Sequence, residues 1–308
     1  MKIGTFNLIR NKYRIWTISS ILIFFSLTGI LISLFLPSIR KPINLGLDFT
    51  GGNDIRIERI CTKECSELSA DEIMEALKLD FSDKKLLNNI KIQIQNDSKL
   101  ITVRTPPIKI EKSEDLIAKI DDLFGPLNFD SSEYRNIGPK LGNDLLLNAA
   151  ITLLISLFAI SIYLSIRFDR RYAFLALAAL FHDLFIVFGI FSWLGILLSI
   201  EVNILFAVSL LTIAGYSVND TVVIFDRIRE NISSNSELNI NQKIELSVNE
   251  SLRRTIFTSV TTLIPLITLI IFGSYSLFWF SIALAIGIVV GSYSSILLAP
   301  SFLIKENT

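Results

Sequence analysis

Asp220 is the residue in this chain whose surroundings most demand a chemical explanation. It stands in GYSVNDTVVIFDRIREN, just beyond the apolar run 204–214, and Val222, Val223, Ile224 and Phe225 follow it before Asp226, Arg227 and Arg229 arrive. A helix continued through this stretch places Asp220 about two turns inside its Arg-marked end, at roughly 1.5 Å per residue. A carboxylate within a membrane is expensive, by roughly 2.5–3.5 kcal/mol at a helix centre on insertion scales and less toward an end. One reading is an interfacial acid, hydrated or paired with an Arg. The other is a proton or ion site. The helix taken alone does not separate them.

Two further places could join that chemistry. His182 and Asp183 interrupt another apolar run well inside its length. They are read either as a hydrogen-bonded pair facing a helix bundle, or as members of a hydrated pathway with Asp220. Arg253 and Arg254 open the run RTIFTSVTTL. An Arg at a helix end ordinarily snorkels to the headgroups, which suffices for Arg253. Arg254 precedes Thr255, Thr258, Ser259, Thr261 and Thr262, hydroxyls suited to a polar seam inside a bundle. If that seam faces Asp220, moving Arg254 toward or away would switch the carboxyl between releasing and holding a proton.

Composition sets the frame for these residues. Of 308 residues 51% are hydrophobic and only 19% charged, with a mean hydropathy of +0.55; this predicts an integral membrane protein. The net charge of zero offers no bulk attraction for nucleic acid. A single His and two Cys exclude most zinc, haem and iron–sulfur frameworks built from this chain alone. Neither a phosphate-binding G-x-x-x-x-G-K-[ST] loop nor H-E-x-x-H occurs. No nucleophile–base pair is visible, so no enzyme activity, metal or cofactor is expected.

The expected fold is an α-helical membrane protein of six transmembrane helices, with a small α+β domain outside the membrane between helices 1 and 2. Residues 1–36 form the basic N-terminus and first span, whose apolar run 15–36 is long enough to cross about 30 Å of hydrocarbon. Residues 37–141 form the outside domain. There Ser69 and Glu72 make a capping box before Ile73, Ala76 and Leu77, and Ile90, Ile92 and Ile94 alternate toward an Asn96–Asp97–Ser98 turn. A second amphipathic helix over 113–124 stops at Gly125-Pro126, and 127–134 supplies a last strand. The order β-α-β-β-α-β is that of a ferredoxin-like unit. Residues 142–308 carry the runs 145–166, 172–198, 203–225, 255–272 and 277–304, with a linker over 228–252 read as an amphipathic helix lying on the membrane or a partner. Lys and Arg in short connections all fall on one side, which places both termini in the cytoplasm.

Three smaller features complete the reading. Gly46, Gly51 and Gly52 in GLDFTGG mark a tight turn around Asp48 just beyond the first span. Cys61 and Cys65 lie in the outside domain, where an oxidising compartment permits a disulfide; reduced thiols are the alternative. Gly287, Gly291, Ser292, Ser294, Ser295 and Ala299 give the last span a small-residue face for close helix packing.

Taken together, GLDFTGG, the HD pair, GYSVNDTVVIFDRIREN, SLRRTIFTSVTTL and GSYSSILLAP resemble, in order and over the whole chain, the motifs of the SecD/SecF family of the resistance-nodulation-division superfamily. The outside region is short, which favours the SecF type over SecD. The resemblance implies an accessory subunit in the bacterial cytoplasmic membrane that works beside SecD. It would use the proton motive force to draw unfolded secretory polypeptides from the SecYEG channel, in contact with membrane lipid and without nucleic acid. It implies Asp220 as the functional acid and Arg254 as the functional cation, with Asp183 a further member, and a hinge at Gly46, Asp48, Gly51 and Gly52. A passive scaffold and a proton-coupled small-molecule transporter are the competing functions.

Overall fold

The computed structural model describes residues 6–37, 39–61, 65, 67–80, 90–95, 99–106, 110–124, 126–234 and 237–304. The turn Asn96–Asp97–Ser98, Gly125 and the cations Lys2 and Lys305 lie outside the described residues. The chain divides into two compact units, Met1–Asn44 with Ala149–Thr308, and Leu45–Asn148.

The smaller unit is built from alternating strands and two amphipathic helices. Its elements are the helical turn α1 (Leu47–Thr50), β1 (Gly52–Arg59), α2 (Ala70–Asp80), β2 (Lys91–Gln95), β3 (Leu100–Thr105), α3 (Ile110–Phe124) and β4 (Leu127–Ile137). The sheet runs β2-β3-β1-β4 with every neighbouring pair antiparallel. Period-two alternation puts Ile55, Ile57, Ile101 and Val103 on one face. There they form a buried core with Ile73, Leu77, Leu116 and Ile120. The Ser69 hydroxyl accepts from Glu72 N at 3.1 Å and the Glu72 carboxylate accepts from Ser69 N at 2.9 Å, the reciprocal capping box.

The larger unit is helical. Among the described residues six helices are long and apolar enough to cross a membrane, and they make this a multi-pass membrane protein: Leu8–Phe35, Pro139–Arg167, Arg170–Leu198, Ile204–Ser233, Ile240–Phe272 and Leu277–Ser301. They are named the first to sixth spans. Asn7, Asn203 and Asn239 cap three of them by accepting backbone N–H groups with their side chains. The third, fourth and sixth spans pack together on their small and apolar faces, and a Cβ on Gly287 would press on Ile213. Most side chains of the second span remain exposed; an Arg167–Asp226 ion pair at 2.6 Å ties its end to the fourth.

The linker differs from the sequence expectation. Its amphipathic segment is no separate helix lying on a membrane or a partner; it is the opening of the fifth span. The fourth helix has 30 residues and the fifth 33. At 1.5 Å per residue these are about 45 and 50 Å long, against about 30 Å of hydrocarbon. The two run on beyond the apolar stretch as an antiparallel hairpin. Ile228, Ile244 and Val248 are buried in it, so the apolar stripe finds its partner within the chain. Lys243 reaches back to the end of the fourth helix and donates to the carbonyls of Ser234 at 2.7 Å and Ile232 at 3.3 Å. Arg227 ties the same hairpin by an ion pair to Glu250 and pairs with Glu230 on its own helix, each at 2.7 Å.

Candidate intramembrane polar site

Asp183 and Asp220 sit on adjacent helices, the third and fourth, and both are buried: Asp183 is 0% and Asp220 4% exposed. Their surroundings differ. Asp183 is the hub of a hydrogen-bond cluster drawn from three spans. Its Oδ2 accepts from Ser217 Oγ at 2.6 Å and from Ser294 Oγ at 2.7 Å. Its Oδ1 lies 2.9 Å from His182 Nδ1. The expectation of a hydrogen-bonded pair facing the bundle therefore describes this geometry.

Asp220 Oδ2, by contrast, is enclosed without a hydrogen-bond partner among the described residues. Next to it Thr221 Oγ1 and Ser295 Oγ are 2.8 Å apart, and Ser295 also donates to the Ser217 carbonyl at 3.3 Å. Hydroxyl contacts thus join the fourth and sixth spans beside Asp183, one of them made to the Ser217 backbone carbonyl. A buried acid is costly unless its oxygens are satisfied. Asp183 meets that condition and Asp220 does not.

The sixth span changes form where it meets this cluster. Its helix widens into a π-helical segment over Ser294–Leu298. Such segments are rare and concentrate at functional sites. Here it carries both serines that face the carboxylate side, Ser294 and Ser295. A side chain on Gly291 would stand 3.5 Å from Asp183 Oδ2. The small-residue face read from the sequence as a packing surface is thus also a source of donors.

Arg254 is exposed at the start of the apolar part of the fifth span. It stands close enough to act electrostatically on Asp220, yet no ion pair joins the two among the described residues. The hydroxyl seam behind it is narrower than the sequence suggests. Thr258, Thr261 and Thr262 donate to carbonyls of their own helix. Ser259 carries the seam across, accepting from Tyr216 Oη at 3.1 Å and meeting Ser292 Oγ at 2.6 Å. Back-bonding to the preceding turn explains the rest, because threonine in an apolar helix satisfies itself that way.

The remaining sequence-selected residues belong to the smaller unit. Gly46 caps the turn Leu47–Thr50, which carries Asp48 in its first turn. Gly51 and Gly52 have φ of 71° and 136°, a region that L side chains avoid. A Cβ on Gly51 would also stand 2.8 Å from the Pro139 Cα, so the close approach needs glycine. Cys61 and Cys65 are joined by a disulfide. Among the described residues no cluster of His, Cys, Asp and Glu forms a metal centre.

Sequence reasoning missed Ser217 altogether. Its one available signal is the i−3 spacing to Asp220, which puts both on one helical face.

Comparison with known proteins gives this geometry a lineage. Residues 118–307 match the family described as protein export membrane protein SecD/SecF, C-terminal, and residues 39–58 match the SecD/SecF GG motif. The protein translocase subunit SecF of Prochlorococcus marinus is 47% identical, covering 98% of this chain and 96% of its own length. The subunit of the same name from Synechocystis is 36% identical, covering 92% of this chain and 89% of its own length. The crystal structure of SecDF, a translocon-associated membrane protein from Thermus thermophilus, superposes with a TM-score of 0.80 at 27% identity. That match takes in 98% of this chain and 39% of the SecDF chain, so this chain spans well under half of SecDF. Both family motifs, relatives matched along nearly their whole length and a shared fold lead to one conclusion: this chain belongs to the SecF branch of the SecD/SecF family of protein-export membrane proteins.

Proposed function

We propose that this translocase subunit couples the proton motive force to protein export, with Asp220 as the group whose protonation drives the cycle. The observation that carries this reading is the environment of Asp220: a carboxylate enclosed in a membrane helix, one oxygen unpartnered among the described residues, with a second buried acid on the adjacent helix. Such a group is poised to exchange its proton, since neither charge state is locked by a strong partner. Arg254 stands exposed within the fifth helix, where its apolar part begins. A change in their separation would alter which state Asp220 prefers. Asp183, fully satisfied, serves as the fixed pole of the same site.

The wider assembly follows the family. The chain works beside SecD in the bacterial cytoplasmic membrane, both termini cytoplasmic, and acts on unfolded polypeptides leaving SecYEG. The 37–141 region lies outside, and the ferredoxin-like class suits its strand order and antiparallel pairing. The positive-φ turn at Gly51 and Gly52, with Gly46 and Asp48, is the hinge by which a change at Asp220 would reach that domain. The Cys61–Cys65 bridge suits an oxidising exterior.

The test is export into inverted membrane vesicles that lack or contain this chain. The chain is expected to add a component of export that an uncoupler abolishes. An added component insensitive to the uncoupler would show a subunit that assists export without using the gradient.

A further inference from the structure

A groove of about 380 Å³ lies between the first, third and sixth spans, unused by the reading above. Small side chains make room for it: Ala178 and Ala179 on the third span and Ala299 on the sixth, bordered by Ile23 and Leu298. Ala178 is exposed, as are Ile23 at 40% and Phe302 at 44%, so the groove opens sideways, out of the apolar spans.

One end of the groove is fixed and positively charged. Trp16 and Phe302 line it and stack with their ring centres 4.9 Å apart, and Trp16 Nε1 donates to Ser301 Oγ at 2.8 Å. One helical turn before Trp16, on the same face, stands Lys12, its Nζ 4.7 Å from the centre of the Trp16 ring. One turn before Leu175, another wall residue, stands Arg171, exposed and donating to the Phe302 carbonyl at 3.2 Å. At the other end is His182, its Nδ1 2.9 Å from Asp183 Oδ1.

We infer that this groove is a lipid site: it seats one acyl chain of an anionic phospholipid, with the headgroup phosphate against Arg171. The inference does not depend on the proton coupling proposed above.

Size and chemistry choose this occupant. A partner's transmembrane helix is about 10–12 Å across and about 30 Å long in the hydrocarbon, several times the volume of the groove. Water needs roughly two to four polar partners. Between Trp16 and His182 the walls offer it the Ser19 and Ser20 hydroxyls, and Ser19 already meets Tyr293 Oη at 3.1 Å. A single file of methylene groups needs no polar partner and fits against alanines. Dispersion contacts along its length hold it, since hydrocarbon on either side leaves no hydrophobic drive. With the ring proton of His182 on Nδ1, toward the carboxylate, Nε2 is a bare acceptor and tolerates the chain. Tryptophan belongs at the level of the headgroups, which puts the headgroup at the Trp16 end. Lys and Arg at that level attract anionic lipid.

Fluorescence of Trp16 tests this in the full-length chain, with Trp193→Phe and Trp279→Phe removing the other tryptophans. The vesicles are phosphatidylcholine with a minor share of phosphatidylglycerol carrying brominated chains. Quenching of Trp16 is expected to exceed that share on the order of tenfold. Brominated phosphatidylcholine as the minor lipid is expected to quench in proportion to its share. Arg171→Gln should remove most of the excess, and Ala178→Phe, which fills the groove, all of it. Quenching that follows bulk composition, or an excess that Ala178→Phe leaves intact, overturns the inference. Native mass spectrometry of the protein with its tryptophans intact, alone and SecD-bound, is the second readout should the tryptophan variants fail to insert. Phosphatidylglycerol retained over phosphatidylcholine, and lost with Ala178→Phe, upholds the site. Equal retention of the two lipids, or release of the lipid when SecD binds, overturns it.

Discussion

The contrast between the two buried carboxylates rests on single hydroxyl groups. Ser217 and Ser294 each donate to Asp183 Oδ2, and a hydrogen bond to a charged group contributes roughly 1.5–3 kcal/mol. Ser217→Ala and Ser294→Ala are therefore each expected to lower the thermal unfolding midpoint of the detergent-purified protein. Ser292→Ala removes only hydroxyl and carbonyl contacts, each contributing about 0.5–1.5 kcal/mol, and should lower it less. Equal effects for all three would contradict the hub role given to Asp183. For Asp220 the sequence left an interfacial acid and a proton or ion site equally open, and it is the structure that encloses it. The serines were not legible, because the same residue type in the same helix also serves close packing. Only the third dimension shows that Ser294 faces a carboxylate, and the π-helical segment that turns it there has no sequence signature. Arg254 was read as a helix-end cation, but the helix begins at Ile240, so it lies near the middle, and among the described residues it makes no ion pair with Asp220.

At the scale of elements, the fourth and fifth helices continue past the apolar stretch as a hairpin closed by Lys243. Cations at a helix C-terminus complement its unpaired carbonyls and the helix dipole, typically by 0.3–1 kcal/mol. Lys243→Met should speed amide hydrogen exchange over residues 228–234 several-fold while leaving the buried parts of the spans unchanged. An unaltered exchange pattern would show that Lys243 does not hold the end of the fourth helix. The sequence correctly showed an amphipathic period in this linker. It did not show the partner: an apolar stripe fits a membrane surface, another protein or a neighbouring helix equally well, and here Ile228 is the neighbour. The smaller unit was easier to read, because the alternation of Ile90, Ile92 and Ile94 and the Ser69–Glu72 box are local signals that the fold preserves.

For the molecule as a whole, the six spans were legible from hydropathy, since unbroken apolar runs of this length have few other uses. The side assigned to each loop follows from the one-sided distribution of Lys and Arg. Lys99→Cys is accordingly expected to react with an impermeant thiol reagent in intact spheroplasts, and Glu237→Cys only after permeabilisation. Labelling of Glu237→Cys in sealed cells would reverse the orientation and with it the direction of proton flow. The proposed coupling is tested at Asp220. Asp220→Asn keeps the shape and mimics the permanently neutral side chain, so the protein should insert and bind SecD as before. Asp220→Glu retains a titrating group and should keep part of the activity. The direct measurement is gradient-stimulated export into energised inverted vesicles containing the stably inserted Asp220→Asn protein. Loss of the gradient-dependent component is the predicted result, and export equal to that of the unaltered protein would contradict proton coupling through this residue.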